Sequence, residues 1–267
     1  MTRDSWPAVG RWIIFRNDDV LAGPEGPAIF HPEALARSLD SGGQRHRMHW
    51  QGEEIGVLRL EPDRPEPEGH AFVGLRHLLL QSPGDLFPAA ATAIQILEWE
   101  RNHRYCSRCG SETVAHGAGE YARVCPACQY HQYPRIQPCV IVAITRDDHI
   151  LLARSQRATK LPMYSLLAGF VEVGETLEQA VHREVAEESG VRVRDLRYSG
   201  SQSWPFPSNL MLGFRAEWDS GDIVIQEEEL MDAQFFHYRQ LPMIPPPGSI
   251  AYHLIMACVA DLTARFG

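Results

Sequence analysis

The chain has 267 residues, 44% hydrophobic and 22% charged, an ordinary globular balance with room for one large or two to three small domains. Its formal net charge of −9 argues against broad electrostatic attraction to nucleic acid but leaves room for a local basic groove. No apolar run approaches the ~20 residues needed to span a bilayer, and the opening MTRDSWPAVGRW lacks the apolar core of a secretory signal, so a cytoplasmic protein is expected.

Residues 1–100 read as a region of their own. RWIIFR (11–16) has the composition of a strand and runs into the turn-like NDD. EIGVLRLE (54–61) reads as a second strand, and the Pro- and charge-rich EPDRPEPEGH (61–70) as a loop or hairpin tip. From Asp85 to Trp99 the spacing predicts a helix with Leu86, Ala90, Ala93, Ile94, Ile96 and Leu97 inward. A cysteine-rich segment occupies 101–133, and the pattern changes again over 134–267. There PCVIVAITRDDHILLARS reads as two strands joined at Arg146, Asp147 and Asp148, and SLLAGF as a third, leading through a Gly-rich loop to a long helix. DLRYSGSQSW, LMLGFRAEW and AQFFHYRQL read as further strands, PPPG (245–248) ends the sheet, and the tail SIAYHLIMACVADLTARF reads as an amphipathic helix. The expected class is α/β, a mixed sheet flanked by helices.

Four of the six cysteines form two CxxC pairs, Cys106 with Cys109 and Cys125 with Cys128, with fifteen residues between the pairs. Each CxxC folds back so that both sulfurs face one point, and two such knuckles complete a tetrahedron of thiolates suited to one Zn²⁺. Four thiolates leave no position for water, so this zinc is structural. The clustering points to a metal site in a reducing compartment rather than to disulfides. Cys139 and Cys258 lie in apolar runs and read as small core residues. A nucleic-acid-binding ribbon is the sharper alternative, but the stretch between the knuckles has one Arg and no Lys.

The segment GFVEVGETLEQAVHREVAEESGV (169–191) carries the chemistry. Thr176 followed by Gln179 is a capping-box pattern, Leu177, Ala180, Val181 and Val185 supply an apolar face, and Gly190 suits the helix stop. At about 100° per residue, Glu184 and Glu188 point within ~40° of each other, with Glu187 ~60° from Glu184. Carboxylates so placed repel unless a cation joins them, which implies Mg²⁺ or Mn²⁺; otherwise the face is a solvated acidic one with Arg183 as its ion-pair partner.

These positions match the signature G-x5-E-x7-R-E-U-x-E-E-x-G-U of the Nudix hydrolases (U, aliphatic) through Gly169, Glu175, Arg183, Glu184, Val185, Glu187, Glu188, Gly190 and Val191. The resemblance implies a Nudix α/β/α sandwich and hydrolysis of a nucleoside diphosphate linked to a further moiety. It also implies metal ligation by Glu184, Glu187, Glu188 and the backbone of Ala168, with Glu188, or else Glu187, as the catalytic carboxylate. Gly169, Glu175 and Arg183 take supporting places. Glu229, in IQEEELMDAQFF, is similar to the family's further acidic ligand. Downstream, SQSWPFPSN (201–209) resembles the SQPWPFPxS motif of the NADH pyrophosphatase, NudC-like, subfamily, departing at Ser203 and Asn209. The order N-terminal α+β domain, four-Cys ribbon, Nudix domain is also that subfamily's. The resemblance implies substrate contacts at Arg76, Tyr133, Phe170, Gln202, Ser203, Trp204, Pro205, Phe206, Pro207, Ser208, Asn209 and Ala251. It further implies a homodimer that cleaves NADH or NAD⁺ to NMNH or NMN plus AMP and removes NAD caps from RNA. Hydrolysis of ADP-ribose or diadenosine polyphosphates, and a non-catalytic zinc-ribbon module, are the alternatives.

Overall fold

The computed structural model describes residues 9–23, 28–81, 86–117, 120–156 and 161–267. The chain divides into two compact units, Met1–Arg135 and Ile136–Gly267.

In the first unit the elements run β1 (Arg11–Arg16), β2 (Asp19–Ala22), β3 (His31–Pro32), α1 (Glu33–Leu39), β4 (Gln44–Trp50), β5 (Glu53–Leu60), β6 (Ala71–Gly74), α2 (Leu75–Gln81) and α3 (Leu86–Asn102). The strands form one sheet in the order β4-β5-β1-β2-β6, with β3 on β1. β1 runs parallel to β5 and antiparallel to β2. Trp12, Ile14 and Leu21 pack with Ala36, Leu39, Leu58 and Leu60 in one core cluster. Helix α3 departs from the expected single apolar face. Phe87, Ala89, Ala91 and Trp99 are buried together with Ala90, Ala93, Ile94, Ile96 and Leu97, while Leu86 is half-buried. Its small alanines let neighbours approach from more than one side. The expected helix start, Asp85, lies outside the described residues.

Three short antiparallel strands, β7 (Val114–Ala115), β8 (Arg123–Val124) and β9 (His131–Gln132), make the cysteine-bearing ribbon. Thr113 is buried at its base; its hydroxyl donates to the carbonyl of His103 at 2.8 Å and accepts from Arg123 Nε at 2.7 Å.

The second unit contains β10 (Gln137–Arg146), β11 (His149–Ser155), β12 (Leu167–Phe170), α4 (Leu177–Ser189), β13 (Arg192–Trp204), β14 (Asn209–Ser220), β15 (Leu230–His237) and α5 (Ile250–Phe266). The sheet order is β13-β14-β10-β11-β15, with β12 also on β10. It is mixed: β10 and β14 are parallel and the other pairs antiparallel. Successive side chains of β10 face opposite sides. Val140, Val142 and Ile144 join the cluster with Ala180, Val181 and Val185 of α4, whereas Cys139, Ile141 and Ala143 join Leu254, Ile255 and Cys258 of α5. The alternation therefore builds the three-layer α/β/α sandwich, and both isolated cysteines are core residues. Strand β15 stops at His237, earlier than AQFFHYRQL suggests, because a turn bond from the Gln240 amide to the His237 carbonyl takes the chain out of the sheet.

Candidate active site and zinc site

Helix α4 is fixed at both ends. Thr176 Oγ1 accepts from the Gln179 amide, Gln179 returns its side-chain oxygen to the Thr176 amide, and Gly190 closes the helix at φ 73°. One face of the helix is in the core, so REVAEE is held at the core boundary beside β12.

Arg183 organises the carboxylates. Its Nε and Nη2 donate to Glu175 at 2.6 and 2.9 Å, Nη1 donates to Glu184 at 2.8 Å and Glu187 at 3.0 Å, and Nη2 reaches the carbonyl of Phe170 at 2.8 Å. One planar guanidinium thus joins the Gly-rich loop, the end of β12 and the helix. Glu175 also accepts the Glu172 amide at 2.9 Å. Arg183, with this second hydrogen bond, holds the Glu175 carboxyl down to about 2.

Glu184 and Glu188 sit deeper. Glu188 is 6% exposed. Burial pushes its pKa up to about 8, and the charges of Glu184 and Glu229 add to the shift while the Ala168 amide, donating to it, opposes it. Its Oε2 is buried with no hydrogen-bond partner among the described residues. Burial likewise raises Glu184, against the pull of Arg183. A Cβ at Gly169 would lie 1.8–2.1 Å from the Glu184 carboxylate group, so this position admits glycine alone while Glu184 stays put. An orphaned buried carboxylate oxygen, two further carboxylates acting on it and a cradle cleared by glycine fit a hard divalent cation with oxygen ligands. Glu187 faces solvent, its side chain 55% exposed. Glu229 ends a turn held by Gln156, whose amide donates to the Glu229 carbonyl at 2.8 Å and whose Nε2 donates to that of Glu227 at 2.9 Å. Nothing in the sequence around Gln156 signals this part.

The WPFP segment is the hairpin between β13 and β14, where Trp204 pairs with Asn209. The rings of Trp204 and Phe206 meet edge-on at 5.2 Å. Pro205 and Asn209 are buried, Ser203 and Pro207 exposed, and Ser208 half-buried. Gln202 spends both ends of its amide on the backbone ahead of α5, donating to Gly248 O and accepting from Ile250 N, each at 2.8 Å. The hairpin and the start of α5, with Ala251 buried in its first turn, are therefore tied together. Phe170 is exposed at the end of β12. Arg76, on α2, and Tyr133, after β9, are exposed residues of the first unit.

The four cysteine sulfurs all lie within 4.8 Å of one another. Cys106 and Cys128 are 3.6 Å apart and Cys109 and Cys125 3.4 Å. A tetrahedron with Zn–S bonds of ~2.3 Å has sulfurs ~3.8 Å apart, so the cluster fits one zinc. Hydrogen bonds from Ser111 lower Cys109 to about 6, whereas the hydrogen bond from Tyr130 is outweighed at Cys128, which burial and the neighbouring cysteines push up to about 12, so thiolates this crowded need a cation to join them.

Three family models match the chain in succession: an NADH pyrophosphatase-like rudimentary NUDIX domain over 9–99, an NADH pyrophosphatase zinc ribbon domain over 101–133 and a NUDIX domain over 135–256. A protein of Klebsiella pneumoniae (strain 342) named NAD-capped RNA hydrolase NudC is 44% identical over 261 residues, 96% of each chain. One of the same name from Escherichia coli O1:K1 / APEC is 43% identical over 257 residues, 96% of this chain and 95% of that one. The chain belongs to the NudC-like, NADH pyrophosphatase branch of the Nudix hydrolases. A NUDIX hydrolase structure from Nitrosomonas europaea is 28% identical, with a TM-score of 0.46, covering 52% of this chain and 80% of that one. As a NudC-like protein the chain is a hydrolase with a Nudix sandwich and a four-cysteine ribbon that holds structural zinc. Among the described residues, no helix is long and apolar enough to cross a membrane.

Proposed function

We propose that the protein hydrolyses the pyrophosphate bond of NADH or NAD⁺, giving NMNH or NMN and AMP, and removes NAD caps from RNA 5′ ends, the activity named for its relatives. The observation that carries the hydrolytic reading is the buried, unpartnered Oε2 of Glu188 beside Glu184 and Glu229. Mg²⁺ or Mn²⁺ held by Glu184, Glu187, Glu188, Glu229 and the backbone of Ala168 would neutralise pyrophosphate oxygens and acidify a bound water. Glu188 is the first choice for the carboxylate that takes the water's proton, and Glu187 the second. Arg183 and Glu175 orient these side chains, and Gly169 leaves them room.

The substrate rings are assigned to Trp204, Phe206, Phe170 and Tyr133, and the remaining contacts to Arg76, the 202–209 hairpin and Ala251. Exposed aromatic faces support the ring assignment: Phe170 is 51% and Tyr133 58% exposed. The proposed organisation is 1–100, 101–133 and 134–267, one zinc per chain in the middle segment, and a homodimer as the working form. Two buried free cysteines and four clustered thiols support a reducing, cytoplasmic setting. Ser203 and Asn209, which depart from the family motif, favour a second reading in which ADP-ribose or diadenosine polyphosphates are also cleaved. The test is AMP and NMNH release from NADH, and NMN release from NAD-capped RNA, with Mg²⁺ or Mn²⁺. Folded, zinc-loaded protein that releases none of these products refutes the proposal, and turnover of ADP-ribose alone would move it to the second reading.

A further inference from the structure

The cysteine ribbon has an inner and an outer face, and its register fixes what stands on each. Val124 of β8 lies between Val114 of β7 and His131 of β9. Two residues along, the His116 amide donates to the Ala122 carbonyl at 2.9 Å, and the β8–β9 register carries Ala122 opposite Tyr133. Paired residues, and residues two apart on one strand, share a face. Val114, His116, Ala122, Val124, His131 and Tyr133 therefore stand together, with Thr113, Arg123 and Gln132 on the other side. That other side is the inner one: Thr113 and Gln132 are buried, and Arg123 donates to Thr113.

On the outer face Ala122 is buried, while His131 and Tyr133 are exposed and His116 is half-buried. The small Ala122 side chain leaves room for rings to close over it. His116 and His131 meet across the ribbon at 5.6 Å, and His131 and Tyr133 at 6.4 Å along its edge. Their planes are tilted by 57° and 49°, so neighbouring rings do not cover one another and each keeps a face for a ligand. Three rings in a row with no carboxylate among them suit stacked bases, because every base has a π-face and His stacks as Tyr does.

The shortage of Lys and Arg between the knuckles weakens phosphate pairing, not stacking. Charge also gives the row a direction. At the Tyr133 end Arg135 is exposed, and its side chain makes no hydrogen bond or ion pair among the described residues. At the far end Glu120 lies 3.8 Å from His116 Nδ1. A polyanion is favoured at the Tyr133 end, where a substrate ring is already assigned. We propose that His131 and His116 extend the ring surface of Tyr133 along the ribbon and stack the first unpaired bases of the RNA behind an NAD cap. This rests on the cap-removing half of the proposed function and on the assignment of Tyr133 to a substrate ring.

The test compares kcat/KM for NADH with that for a short single-stranded RNA bearing a 5′ NAD cap. Wild type, His131→Phe, His131→Ala and the His116→Ala/His131→Ala double variant are measured, with zinc content as the control for folding. The expected result is a loss of about tenfold for capped RNA in the double variant, chiefly in KM, as for lost base stacking, with NADH within twofold of wild type. His131→Phe keeps a ring and should stay within twofold on both substrates. A capped oligonucleotide whose first two nucleotides lack bases should be about tenfold poorer with wild type and no poorer with the double variant than the intact RNA is. Losses that multiply, equal losses on NADH and capped RNA, or no loss on either overturn the assignment while leaving cap removal intact. Equal losses together with a changed mass in sedimentation would make the rings a contact between copies of the chain instead. Wild type that cleaves NADH but no capped RNA removes the cap-removal reading itself, and this inference with it.

Discussion

At the scale of single residues, Glu188 carries the most consequence, because its burial costs stability in the absence of a cation. A carboxyl raised to about 8 in the folded chain, against an ordinary 4.5, binds more protons folded than unfolded across that window. Stability therefore falls as pH rises from 4.5 to 8. Glu188→Gln removes that charge, so metal-free variant should melt at a higher temperature than metal-free wild type at pH 8, by an amount corresponding to roughly 1 kcal/mol. The same change should lower kcat by about 10²–10⁴-fold. Thermal melts in chelator beside NADH turnover in Mn²⁺ check both; a variant that is less stable and fully active would sink the assignment. Gly169→Ala acts on the neighbour, since its methyl would meet the Glu184 carboxylate at 1.8–2.1 Å. Weaker Mn²⁺ binding, by about 10–100-fold, is expected by titration, with zinc content unchanged.

At the scale of elements, legibility in the sequence follows from how local the determinants are. Helix α4 was readable end to end because its cap, apolar face and stop all lie within Thr176–Gly190. The cysteine knuckles were readable for the same reason. The N-terminal sheet was less so. β4 is QRHRMHW with Met48 its one buried residue, an edge strand defined by pairing with β5 rather than by alternation. α2 has seven residues, too short to display a helical period clearly. The clamp by Gln202 was hidden for a further reason: its partners lie 46 and 48 residues away, and backbone atoms leave no mark in sequence. Gln202→Glu tests this link, because a carboxylate can accept from Ile250 N but cannot donate to Gly248 O. Substrate KM should rise by about tenfold with metal binding unchanged, whereas loss of metal binding would place Gln202 in the metal site instead.

At the scale of the whole molecule, the two compact units rest on different supports, and this separates their responses. The first contains His31, whose imidazole shares a hydrogen bond of 2.9 Å with the Leu21 carbonyl and whose pKa is lowered by burial. It also contains Glu100, lowered despite its burial by His46 and Gln44. For both, the unfolded chain binds more protons in the affected windows. Stability is lost as pH falls below 6.5 through the folded value of His31, and again below 4.5 through that of Glu100. Zinc adds to the same unit: thiolates of Cys106, Cys109, Cys125 and Cys128 bound to one ion contribute on the order of 10–16 kcal/mol in isolated zinc peptides. The Ile136–Gly267 unit has its own two core clusters, which the cysteine knuckles do not enter. Stripping zinc with a strong chelator at pH 7.5 should therefore release one ion per chain and melt the ribbon. The Nudix unit should keep a separate, unshifted thermal transition. Calorimetry with and without chelator, read beside a zinc dye assay, decides it. A single transition that moves as a whole would show that the ribbon's zinc stabilises both units together.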